Sequence, residues 1–565
     1  MLRTRLAPLL ATAFLAAPAI AQTVASPAVT PEMRAVEPPA TSAAPVPGPL
    51  YPPTPPRLTV VISVDQFSAD LFAEHRGHYT GGLARLLTGA VFPSGYQSHA
   101  ATETCPGHST ILTGMRPEHT GIVANTWVDQ SAARADKLVY CAEDETAPGS
   151  DHEHYTVSDK HLRVPTLGEM MKAANPASRV VSVAGKDRAA VMMGGHKVDE
   201  LWWWDGHAFV TYAGRATPAV VTRANAATAA LLAAPQAPLP LPGFCRTSDL
   251  DTPVAGHDYG QGRFARVAGD VKAFRASPAA DASVLALAAG LIQAQGLGRG
   301  AAPDLIAIGA SATDYIGHTY GNQGTEMCIQ VAQLDQAIGA FMDELDSEGL
   351  DYQVVLTADH GAHDFTERQV ERAMPTETRL SASLKAKAIG RAIAADLHLT
   401  GPVLLSAEQD MFIDQSLPAA TRARVLVEAR RRYLASPQIA AAFTRAEVAA
   451  TPTPSGPLET WTLIQRARAS FDPLRSGDLV VLTAPRVNPI SDPDGGFIET
   501  HGSPWDYDRR VPILFWRRGM TGFEQPLSVE TVDIMPTLAA LLRLPVHGLD
   551  GRCLDLDPGP ASTCP

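Results

Sequence analysis

The chain has 565 residues, 45% hydrophobic and 19% charged, with a formal net charge of −13. That is enough apolar material for a large core, in more than one domain or around a single sheet with insertions. Removal of Arg3 and Arg5 with an amino-terminal leader would take the charge to −15, which argues against a basic nucleic-acid-binding surface.

Residues 1–21 read as a signal peptide: Arg3 and Arg5, an apolar stretch from Leu6 to about Ala17, then Ala19-Ile20-Ala21 before Gln22. Pro8 and Pro18 break this run, which is shorter than the ~20 apolar residues of a spanning helix. No other segment is apolar enough to span a bilayer, and no cysteine follows the stretch to carry a lipid. A periplasmic or secreted protein without stable membrane association is expected. Residues 22–56, rich in Pro, Ala, Thr and Val, read as a disordered or polyproline linker.

The folded part is expected over residues 57–560. Leu58–Val64, Arg179–Ala184, Leu305–Ile308, Val354–Leu356, Leu479–Leu482 and Val511–Phe515 are short apolar runs of the kind found in strands covered on both faces. Helical patterns intervene at Thr166–Ala174, Ala282–Gly296, Glu326–Leu345 and Glu530–Leu542. The alternation predicts an α/β fold with a mostly parallel central sheet and helices on both faces. Two stretches fit it poorly and read as capping insertions. One is about 197–270, with Trp202-Trp203-Trp204; the other is about 376–475, with the basic helix Arg422–Ala435 followed by Ile439–Ala449.

Six cysteines (Cys105, Cys141, Cys245, Cys328, Cys553, Cys564) in an exported chain imply disulfides, with Cys553–Cys564 as the local pair to expect. No Cys-x-x-Cys occurs, so a thiolate zinc site is not expected.

Chemistry-bearing residues stand where apolar runs end. Asp65 closes the first run, Asp314 and His318 follow the run at 305–308, Asp359-His360-Gly361 follow Tyr352–Ala358, and His501 lies in Thr500-His501-Gly502. Asp314 and His318 are four apart and share a face if helical. Gly361 permits the sharp turn that brings adjacent side chains to one ion. Each signal alone has a plain reading: a helix-capping Asp, a buried histidine, a strand-to-loop junction. Together they supply the carboxylate and imidazole inventory of two zinc sites.

Thr104, in Thr104-Cys105-Pro106-Gly107-His108, precedes a helical pattern at Thr110–Gly114, which puts it near a helix amino terminus where backbone amides favour anions. A threonine hydroxyl attacks only when a base or metal takes its proton. Cys105 is the competing nucleophile, but a Cys-x5-Arg loop would need arginine at Ile111. A Cys-x-Pro-x-Arg signature fails because proline follows Cys105 at once.

In this order the motifs resemble the alkaline phosphatase superfamily, and more closely its single-chain, phosphate-irrepressible bacterial branch with a threonine nucleophile. The resemblance spans roughly residues 57–550 and also takes in Asn125 and Lys186-Asp187-Arg188. It implies two Zn2+ ions, one on Asp314, His318 and His501. The other would sit on Asp65, Asp359 and His360 with the Thr104 oxygen. Asn125, Lys186 and Arg188 would bind the phosphoryl group. Lys186 and Arg188, expected in an extended segment with both side chains on one side, favour a monoester dianion over a diester.

The resemblance thus implies a monomeric phosphatase acting on small-molecule phosphate monoesters through phosphothreonine. The alternatives are a nucleotide pyrophosphatase/phosphodiesterase-like hydrolase, whose branch lacks this cationic pair, and an inactive exported binding protein. The dimeric relatives use a serine and commonly a magnesium site, for which no third ligand cluster is evident here.

Overall fold

The computed structural model describes residues 50–372 and 374–565. The expected signal peptide and residues 22–49 of the expected linker lie outside the described residues. The last linker residues rest on the folded body: the N–H groups of Leu50 and Tyr51 donate to Asp557 Oδ2 at 2.7 and 3.1 Å, and the Tyr51 hydroxyl donates to Gln353 Oε1 at 2.9 Å.

The elements that place the site are, in chain order, β1 (Leu58–Val64), β2 (Ala90–Tyr96), α1 (Thr104–Ile111), β3 (Val180–Ala184), α2 (Asp187–Gly194), β4 (Glu200–Trp204), β5 (Asp304–Ala310), α3 (Ala312–Tyr320), β6 (Tyr352–Thr357) and β7 (Arg510–Arg517). The seven strands form the body of a ten-stranded sheet in the order β2-β7-β6-β1-β5-β3-β4. Pairing from β6 through β1, β5 and β3 to β4 is parallel, and β7 runs antiparallel between β6 and β2.

Side chains alternate between two helical layers, as strand geometry requires. Val60, Ile62 and Val64 join one apolar cluster with Ile306, Ile308, Val354 and Leu356, while Val61 joins the opposite cluster with Leu305, Ala307 and Val355. All seven residues of β1 are buried, the signature of a strand covered on both faces.

Two sequence expectations change. The stretch 197–270 contributes β4 and the short strand Phe209–Val210 to the main sheet, because the three tryptophans are strand-compatible aromatics rather than marks of an insertion. Leu479–Thr483 belongs instead to a separate antiparallel sheet, in the order Leu404–Ala407, Asp410–Ile413, Leu479–Thr483, Ile439–Thr444. Leu479 and Val481 pack into one small core and Val480 and Leu482 into another, so the run is buried on both faces just as a central strand would be. The basic helix is present at Ala419–Leu434, and Ile439–Ala449 divides into a strand and the helix Arg445–Ala450.

All six cysteines pair, as Cys105–Cys141, Cys245–Cys328 and Cys553–Cys564. The first ties α1 to the hairpin strands Thr126–Val128 and Leu138–Tyr140. No helix among the described residues is long and apolar enough to cross a membrane.

Helix α1 lies so close to the end of β6 that a Cβ on Gly107 would stand 2.0 Å from the Asp359 carbonyl oxygen. Gly107→Ala must push helix and strand end apart, at a cost of about 1–3 kcal/mol. Urea denaturation should show that loss, and unchanged stability would mean the contact yields freely.

Candidate metal and phosphoryl centre

Four adjacent parallel strands release their chains at one sheet edge, and each release point carries a charged residue. Asp65 follows β1, Lys186 follows β3, Asp314 lies in the first turn of α3 after β5, and Asp359-His360 follow β6. This is the crevice beyond the carboxyl ends of the strands where open α/β sheets place their ligands. Thr104 arrives on α1 after β2, and His501 lies in the approach to β7.

The structure brings Asp314, His318 and His501 into one compact ligand group. His318 Nε2 and His501 Nε2 lie 3.4 and 3.2 Å from Asp314 Oδ1. The second compact group is Asp65, His108 and Asp359. His360 stands between the groups, with Nε2 3.2 Å from Asp359 Oδ2 and 3.9 Å from Asp314 Oδ1 and its ring stacked on that of His501 at 3.5 Å.

His108 has no role in the sequence reading. Its Nε2 lies 3.3 Å from Asp65 Oδ1 and its Nδ1 3.3 Å from Asp359 Oδ2. The helix begins at Thr104, earlier than the pattern at Thr110–Gly114 indicates, and so puts His108 four residues on and on the same face as Thr104.

Four imidazoles share one orientation. Nδ1 faces a backbone carbonyl in each: Glu499 for His318, Thr102 for His501, Gly361 for His360 and Thr104 for His108, at 2.8–3.0 Å. Donation from Nδ1 assigns the tautomer that leaves Nε2 a free lone pair, the arrangement of metal-ligating histidines. His360 Nε2, His108 Nε2, Asp65 Oδ1, Asp314 Oδ1 and Asp359 Oδ2 are buried without a hydrogen-bond partner. Atoms so placed cost free energy unless a cation meets them, so the donor set fits divalent metal. Asp359 is aimed by its other oxygen, which accepts from the backbone N–H groups of Gln66 and His360 at 3.1 and 2.9 Å. Gln66 holds a left-handed φ of 65° to make that contact.

The electrostatics are those of a carboxylate cluster without its ion. Burial opposes ionisation of Asp65 and Asp314, yet Lys186 and neighbouring histidines hold both carboxyls well below the carboxylate range. Burial lowers the His360 imidazole, but the Asp359 carboxylate raises it further, to about 9, so without an ion His360 carries a proton near pH 7 that a metal must displace. His501 is drawn down to about 4 by burial and by His360, so it is neutral near pH 7.

The cationic pair is placed differently from the sequence expectation. Lys186 caps α2 and Arg188 lies inside its first turn, so the two straddle a strand-to-helix junction rather than alternating along an extended segment. Lys186 Nζ contacts Asp314 Oδ2 at 2.5 Å and Asp65 Oδ2 at 3.0 Å, bridging the two ligand groups. Arg188 Nη2 lies 3.4 Å from Thr104 Oγ1, and its Nε has no partner. Asp187 is clamped by the hydroxyls of Tyr140 and Tyr155, each at 2.8 Å, and Tyr140 also accepts from Arg188 Nη1 at 3.4 Å.

Thr104 is the first residue of α1, but that helix end offers little backbone for an anion. The Cys105 N–H is spent on Asn125 Oδ1 at 2.8 Å, Pro106 has none, and the Gly107 N–H bonds Glu103 O. With its oxygen tied to Cys105, Asn125 keeps its NH2 group for donation.

In metal-stripped protein, Lys186→Met would leave Asp65 and Asp314 buried beside each other without their shared cation. We expect a loss of about 3–5 kcal/mol in unfolding free energy measured in chelator. A change below about 1 kcal/mol would show the bridge to be weak.

Comparisons place this geometry among known proteins. The family model for type I phosphodiesterase / nucleotide pyrophosphatase matches residues 59–504. Alkaline phosphatase PhoK of Sphingomonas sp. is 57% identical over 519 residues, covering 90% of this chain and 93% of its own. Alkaline phosphatase PhoD of Zymomonas mobilis is 48% identical over 518 residues, covering 90% and 89%. The crystal structure of alkaline phosphatase PafA superposes with a TM-score of 0.78 at 23% identity, over 88% of this chain and 98% of that one, and so shares the fold. The chain belongs to the type I phosphodiesterase / nucleotide pyrophosphatase family, within the alkaline phosphatase superfamily.

Proposed function

We propose that this chain is an exported, zinc-dependent alkaline phosphatase that hydrolyses small-molecule phosphate monoesters through a phosphothreonine at Thr104. Its class as a phosphoric monoester hydrolase rests on kinship, since relatives 57% and 48% identical over most of the chain are named alkaline phosphatases. The observation that carries the mechanism is Thr104 Oγ1 facing Arg188 Nη2 at 3.4 Å, beside two groups of carboxylates and imidazoles whose inward atoms lack partners.

Asp314, His318 and His501 would hold one zinc ion. Asp65, Asp359 and His360 would hold the second with the Thr104 hydroxyl, and His108 braces Asp65 and Asp359. Bound zinc would supply Lewis-acid charge at the reacting oxygens and ease deprotonation of a hydroxyl or water.

Thr104 Oγ1 gives up its proton and forms the bond to phosphorus while the ester P–O bond breaks on the opposite side, toward His501. The departing oxygen takes up a proton to leave as the alcohol. Water then cleaves the phosphothreonine and regenerates the hydroxyl. Arg188 and Asn125 donate to the non-bridging oxygens, and Lys186 adds positive potential from behind the carboxylates. The transition state is loose, so positioning and charge supply most of the catalysis. A monoester dianion offers these donors up to three free oxygens. A diester carries one charge and must seat a second substituent against the same cations.

The family description favours a second reading, a phosphodiesterase. The cationic pair weighs against it. The three disulfides suit a periplasmic or extracellular enzyme.

Acid quench during turnover should trap phosphate on the peptide containing Thr104. Thr104→Ala should trap none and lower kcat more than about a thousandfold while retaining bound metal. Near-normal turnover in that variant would contradict the assignment.

A further inference from the structure

Between the catalytic edge and the small antiparallel sheet lies a cavity of about 170 Å³. One wall belongs to the catalytic centre: Glu103, directly before Thr104, and the segment from Thr500 to Pro504, which contains His501. The other wall is aliphatic, with Leu384, Met411, Ile439 and Val481, each at least nine-tenths buried. Glu408 lines the same cavity from the turn that joins Leu404–Ala407 to Asp410–Ile413, and its side chain is exposed. That turn holds Glu408 at a left-handed φ of 49°, a backbone cost that a merely solvated glutamate does not require.

The position suits one half of the substrate. If Thr104 attacks in line, the leaving oxygen emerges on the side of Asp314, His318 and His501, and the cavity begins at His501. Its volume suits one ring, since an aliphatic cavity of about 150 Å³ accommodates benzene. Its charge is one-sided. Two carboxyl side chains, Glu103 and Glu408, line it. No lysine or arginine lines the cavity, and the cation that acts on Glu408 is Arg188, beyond that lining.

We propose that this cavity is the subsite for the alcohol portion of the ester, accepting a single aromatic ring or a compact aliphatic group that carries no negative charge. Glu408 is its selectivity residue, repelling leaving groups with a second anionic substituent and favouring those with a cationic one. The proposal rests on the phosphomonoesterase reading above.

The test uses zinc-loaded protein and measures kcat/KM for 4-(aminomethyl)phenyl phosphate, 4-carboxyphenyl phosphate and methyl phosphate. Glu408→Gln should shrink the aminomethyl-to-carboxy ratio about tenfold, the effect of ~1.4 kcal/mol of charge discrimination. Comparing variant with wild type cancels the intrinsic reactivities of the two phenols. Val481→Phe, which fills the cavity from its aliphatic wall, should reduce turnover of both aryl esters at least about fivefold more than that of methyl phosphate. An unmoved ratio in Glu408→Gln overturns the proposal while leaving the phosphatase reading intact. A wild type that turns over none of the three esters overturns both.

Discussion

Three buried carboxylates, Asp65, Asp314 and Asp359, converge at one edge of the main sheet, and their mutual repulsion is the constraint that the surrounding structure answers. Each is delivered by a different parallel strand or the helix after it, so the convergence follows from strand order rather than from any local motif. Cations must meet such a cluster. Lys186 does so on one side, through the outer oxygens of Asp65 and Asp314. The inner oxygens, with four histidine Nε2 atoms nearby, are the donor set that the proposed zinc ions would use.

The same constraint explains how the polar neighbourhood is built. Every histidine of the cluster is locked by a backbone carbonyl on its far nitrogen, and Asp359 by two backbone N–H groups. Such outer contacts orient the ligands before any ion arrives, which lowers the ordering cost of binding. The Thr104 helix is pressed against the end of β6 with no room for a side chain at Gly107, so Thr104 and Asp359 are placed as one unit.

Much of this was legible in the sequence, because strand ends and turn glycines are local signals. Asp65, Asp314, His318, Asp359 and His360 follow apolar runs, His501 stands before a glycine in a loop, and the structure gathers all six at one edge. What escaped depends on long-range packing. Leu479–Thr483 has the composition of a central strand yet lies in the small sheet, since burial on both faces does not say which sheet covers them. The place of His108 required knowing that α1 starts at Thr104. The Lys186–Arg188 pair was seen, but a strand-to-helix junction replaces the extended segment, and the Lys186 bridge between two ligand groups has no local signature. Cys553–Cys564 was readable from its short loop, whereas Cys105–Cys141 and Cys245–Cys328 join distant segments.

The central claim is that Arg188, Asn125 and Lys186 set the centre for a dianion. It is tested most directly by comparing kcat/KM for an aryl phosphate monoester and its methyl diester on zinc-loaded protein at mildly alkaline pH. The account predicts a monoester preference of more than about a hundredfold, ~2.7 kcal/mol of transition-state discrimination. Equal rates, or a preference for the diester, would contradict it and assign the Thr104 and zinc chemistry to a phosphodiesterase.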